Sequence, residues 1–83
     1  MYFVTTKLAP YTLFCMTPSE RFAVGLLEDG TVRVLARQGE NWKVLHQWNG
    51  SRYSHTAFMA ALRNREEPAT AEELLGLLPP EAR

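Results

Sequence analysis

A single cysteine, Cys15, is all the thiol this sequence holds. No internal disulfide can form, and such usage fits a reducing, cytoplasmic compartment. Aspartate is as scarce, with Asp29 alone, and lysine is limited to Lys7 and Lys43. Arginine and glutamate carry the charge instead. That skew fits a GC-rich genome and the charged-residue enrichment of thermophile proteomes. Nowhere does an apolar run approach the ~20 residues of a membrane span. Met1 to Met16 lack the continuous apolar core and small-residue cleavage site of a signal peptide. The expectation is a cytoplasmic protein that does not engage a membrane. Formal net charge is zero, so the summed positive field that coats DNA or an acidic membrane is missing.

Catalytic signatures are also wanting. There is no G-x-S-x-G elbow, no Gly-rich phosphate loop and no dinucleotide fingerprint. His46, His55 and Cys15 follow no recognisable ligand spacing, whereas a metal site needs three or four convergent ligands. Cys15 lies between apolar Phe14 and Met16 with no cation close in sequence, so it reads as a buried inert thiol rather than a nucleophile. Glu66-Glu67 and Glu72-Glu73 are doubled carboxylates on polar stretches and read as solvated helix ends. The sequence therefore assigns no catalytic residue, no metal and no cofactor.

What remains is ordinary globular material. Hydrophobic residues make up 46% and charged residues 22%, which suits one modest core and one domain spanning residues 1–83. The clearest local signal is Asp29-Gly30 between two apolar runs, the mark of a two-residue hairpin turn. A rival signal precedes it. Thr17-Pro18-Ser19-Glu20 has the form of a helix-capping box, but Gly25 and the strongly β segment Val32-Arg33-Val34 favour strands. Gly39-Glu40 gives a second turn. The centre is thus a meander of Arg21–Glu28, Thr31–Gln38 and Asn41–Trp48. Tyr2–Leu8 and Tyr11–Met16 read as further strands around the Ala9-Pro10 break.

Beyond Arg52 the period lengthens. Ser54 is expected to cap a helix from His55 to about Arg65, with Phe58, Ala61 and Leu62 as its apolar stripe. Thr70 and Glu73 form a capping box for a second, short helix carrying Leu74, Leu75, Leu77 and Leu78, stopped by Pro79-Pro80. The fold class is α+β: an antiparallel β-meander of three to five strands followed by two C-terminal helices.

Two-residue turns fix the registers. They place Phe22, Val24, Leu26, Arg33, Leu35, Arg37, Trp42, Val44, His46 and Trp48 on one face. The small residues Ala23 and Gly25 fall on the other, with Val32 and Val34, where the helix after Ser54 would pack. Neither face is polar, so the face with both tryptophans needs a cover, and a large apolar patch rarely stays bare. Three functional readings follow. The first is a non-catalytic interaction or regulatory module that forms a homodimer, or meets a protein partner, through the tryptophan face or through Leu74, Leu75, Leu77 and Leu78. The second is a single-stranded nucleic-acid platform built from Arg33, Arg37, Trp42, Trp48, Arg52 and Tyr53, on which bases stack while arginines meet phosphates; with His46 these residues make up the candidate interaction face. The third is a small enzyme, or enzyme subunit, with its site at a dimer interface.

Overall fold

Asp29-Gly30 does reverse the chain, but over three residues rather than two. Only Gly30 of the loop takes a positive φ, +93°, and its N–H bonds the Leu27 carbonyl at 3.0 Å. The Asp29 carboxylate accepts from the Thr31 N–H at 2.9 Å. A turn closed by a left-handed glycine makes the three-residue hairpin loop. The structure, a computed structural model describing residues 1–83, builds outward from this loop.

Five antiparallel strands run in chain order: β1 (Val4–Thr6), β2 (Tyr11–Met16), β3 (Phe22–Leu27), β4 (Thr31–Gln38) and β5 (Asn41–Asn49). Two helices follow, α1 (Arg52–Arg63) and α2 (Ala71–Gly76), and then a 3₁₀ turn at Pro80–Ala82. The fold is α+β, a five-stranded meander with two C-terminal helices. None of its helices is long and apolar enough to cross a membrane.

Both hairpin registers differ from the sequence expectation, for separate reasons. The extra loop residue shifts β3 against β4, so Val24 pairs with Val34 and Gly25 with Arg33, instead of Val24 with Leu35 and Leu26 with Arg33. A one-residue shift carries a strand's side chains to the other face. The Gly39-Glu40 turn has two residues as expected, and Arg37 pairs with Trp42 and Leu35 with Val44. The register then slips at a bulge at Leu45, and Val34 pairs with His46 and Val32 with Trp48. Arg33 consequently lies opposite Gln47, not His46. The outcome is that the two tryptophans stand on opposite faces.

One face is the main core. Cys15, Phe22, Val24, Leu26, Val32, Val34 and Trp48 meet Phe58, Met59 and Leu62 of α1. The helix therefore covers the large β-branched and aromatic side chains, not the Ala23–Gly25 side. It also begins earlier than expected, capped by Ser51, whose hydroxyl accepts from the Ser54 N–H. Ser54 is itself buried and takes the Trp48 indole N–H at 3.1 Å. Thr70 caps α2 as read, accepting from Glu73 N–H, and Glu73 accepts from Ala69 N–H. Six residues are too few for an independent helix. Leu74 and Leu78 anchor α2 by burial in the core, with Leu75 and Leu77 packed against it. Thr17-Pro18-Ser19-Glu20, the helix-cap lookalike, forms a turn. The Thr17 hydroxyl and N–H are engaged by Phe22 across the hairpin, so the threonine ties strands rather than starting a helix.

Candidate interaction face

The other face of the sheet has no helix over it. It is built by alternation along four strands: Tyr11, Phe14 and Met16, then Ala23 and Gly25, then Arg33, Leu35 and Arg37, then Trp42 and Val44. A small second core forms there from Phe14, Met16, Ala23 and Leu35, with Tyr11 and Trp42 leaning on it. The rings supply the cover that a helix supplies on the far side. Tyr11 lies 5.1 Å from Phe14 between centroids, and Trp42 meets Phe14 edge-on at 5.2 Å. Gly25 lets the tyrosine descend, because a Cβ there would sit 2.6 Å from Tyr11 Cδ1.

Both arginines of this face are tethered. The Arg37 guanidinium lies 4.4 Å over the Trp42 ring, donates to the Glu20 carbonyl at 3.0 Å and pairs with its carboxylate at 3.6 Å. Arg33 donates to Gln47 Oε1 at 2.9 Å and reaches the Tyr11 hydroxyl at 3.5 Å. Val44 is 42% exposed beside them. The face is thus an aromatic floor bordered by two cations and one exposed aliphatic side chain.

Of the residues that sequence reading grouped together, the structure assembles Arg33, Arg37 and Trp42. It separates the rest. Trp48 is 8% exposed under α1, edge-on to Phe58. His46 lies beside Trp48 and bonds the Ala82 carbonyl, holding the C-terminal turn to β5. Arg52 and Tyr53 open α1, across the sheet from Trp42, and Tyr53 is 82% exposed. Leu74 and Leu78 are buried in the chain's own core, while Leu75 and Leu77 are partly buried on it. Two members went unread, Tyr11 and Phe14. Their signal was present, since β2 is apolar at successive positions Leu13, Phe14, Cys15 and Met16, which a strand shows when both faces are covered. No three His, Cys, Asp or Glu side chains gather where they could share a metal ion. Comparison with protein-family models, with curated proteins and with solved structures gives no match.

Proposed function

We propose that the protein is a non-catalytic interaction module that self-associates through β5 and the adjoining part of the open face. The observation that carries the reading is the length and bareness of that strand. β5 has nine residues and forms one border of the sheet, whereas the other border, β1, has three. An unpaired edge presents a row of N–H and C=O groups to any incoming strand. Natural edges are blunted by charge, proline or bulges; β5 has one bulge, one charge at Lys43 and no proline. Lys43 is the only charge on β5, so two β5 strands paired about a two-fold axis oppose like charges only where that axis passes through Lys43. Val44 and Trp42 then extend the contact onto the open face. The free thiol of Cys15 fits a cytoplasmic setting for such a dimer.

Solution mass by light scattering across a concentration series tests this. The wild type is expected at twice the chain mass and Val44→Glu at the single-chain mass, with unchanged circular dichroism. A wild type that stays monomeric throughout removes the reading.

A second reading, single-stranded nucleic-acid binding, is favoured by the guanidinium of Arg37 stacked on Trp42 with Arg33 on the same face. Base stacking on an exposed ring is worth about 1–3 kcal/mol. It requires oligonucleotide to quench tryptophan fluorescence at low salt in Trp48→Phe, where Trp42 is the only reporter. Absence of quenching there would falsify it.

A further inference from the structure

Away from the open face lies a cleft of about 570 Å³ between the N-terminal strands and α1. That volume falls within the range of small-molecule sites, which are mostly apolar with a few convergent polar groups. Its walls follow this description. Phe3 and Leu13 come from the strand side and Met59 from α1, while Cys15 and His55 reach it from the interior and Arg63 from the surface. We propose that this cleft binds a small amphiphilic carboxylate, with its apolar body between Phe3, Leu13 and Met59, its carboxylate on Arg63, and a hydroxyl or N–H donated to His55 Nδ1.

Two unused polar groups support that assignment. Arg63 is exposed at the last position of α1, and neither ion pair of the molecule includes it: these join Arg21 to Glu67 and Arg37 to Glu20. A guanidinium matches a carboxylate with two parallel hydrogen bonds. His55 is 2% exposed, and its Nε2 lies 3.4 Å from the Val24 carbonyl. A carbonyl only accepts, so Nε2 carries the proton and Nδ1 is left as an acceptor. No donor of the protein bonds that nitrogen, although the residue lines the cleft. Burial lowers the His55 pKa from its ordinary 6.5, against the pull of the Val24 carbonyl and with help from Arg52. The cleft is therefore lined by a histidine from the interior, an arginine from the surface and hydrocarbon between.

Cys15 supplies the assay. It is the only cysteine, it is 9% exposed, and its sulfur lies 3.8 Å from Thr5 Oγ1 at the cleft. The probe is 4-hydroxyphenylacetate, compared with phenylacetate, which lacks the hydroxyl, and with 4-hydroxyphenethyl alcohol, which lacks the carboxylate. The expected result is saturable protection of Cys15 from N-ethylmaleimide by the first, with about tenfold weaker protection by each of the others, the usual worth of one charge-assisted or buried hydrogen bond. Arg63→Gln is expected to abolish the preference over the alcohol, and Ala60→Phe, which fills the cleft from an exposed helix position, to abolish protection by all three. Absence of saturable protection, or, where the buried thiol does not react, absence of a saturable rise in melting temperature with 4-hydroxyphenylacetate, overturns the proposal, as does a preference unchanged in Arg63→Gln. β5 lies at the opposite border of the sheet, so Val44→Glu should leave protection intact, and failure of the dimer reading is seen separately.

Discussion

Gly25 is the residue on which the open face turns. Its missing side chain admits the Tyr11 ring, and that ring in turn roofs Phe14. A methyl group at 2.6 Å from an aromatic carbon cannot be accommodated without moving one of them. Gly25→Ala is therefore expected to lower stability by about 1–3 kcal/mol, the usual cost of overfilling a packed site. Alanine otherwise suits a strand interior better than glycine, so the loss should disappear once the ring is removed. In a double-mutant cycle, Gly25→Ala in a Tyr11→Ala background should be neutral or slightly stabilising, and the two changes should be strongly non-additive. Additive penalties by urea denaturation would show that the tyrosine is not what the glycine accommodates. Glu20 is the other unusual position, a non-glycine residue at φ 62°. Its carbonyl faces the Arg37 guanidinium, so the left-handed turn serves to aim an acceptor at the cation above Trp42.

At the scale of elements, α2 is held by packing more than by its own length. Leu74 is 1% exposed among core residues, and Leu74→Ala should cost about 2–5 kcal/mol. Thr70→Ala removes only the cap and should cost about 1 kcal/mol. Chemical denaturation of both variants checks the order; a larger loss at Thr70 would mean that the helix rests on its cap. The strands, the helices and the cap of α2 were legible because each carries its own local signal, such as Thr70 with Glu73 as a cap and Gly39-Glu40 as a turn. The cap of α1 at Ser51 was not, because Ser54 offers the same hydroxyl three residues later, and α2 ends at Gly76, before Leu77, Leu78 and the Pro79-Pro80 stop. Faces were not legible. Asp-Gly serves both two- and three-residue loops, and here it sits in the three-residue form, with the Asp29 carboxylate accepting from the Thr31 N–H. The bulge at Leu45 has no glycine to mark it. Trp48 enters the core as a result, where Phe58 packs on it and Ser54 receives its N–H, and that tertiary demand is invisible along the strand. Two such shifts were enough to turn an expected platform of two tryptophans into one buried and one surface ring.

For the molecule as a whole, acid should act in two stages, both in the same direction. Burial is the main cause that holds the His55 pKa below its ordinary 6.5; the Val24 carbonyl opposes it and Arg52 adds to it. Cys15 and Arg63 share its cleft. A histidine depressed in the folded state is protonated first in the unfolded chain, so its neutral form favours folding fully above pH 6.5 and the unfolded chain gains as pH falls below that value. Glu67 follows at lower pH. Burial would raise it, but the Ser19 N–H, the Thr17 and Ser19 hydroxyls and Arg21 together hold it below 4.5. A depressed carboxylate contributes stability above its unfolded pKa, and that contribution disappears as pH falls through the folded value. The urea midpoint should thus decline on acidification from pH 7.5, first between 6.5 and the folded pKa of His55, then again below 4.5. His55→Gln should remove the first decline and keep the second, whatever its effect at neutral pH. Glu67→Gln should do the reverse. An upper decline that survives in His55→Gln would mean that a group other than this histidine takes up the proton between pH 7.5 and the folded pKa of His55.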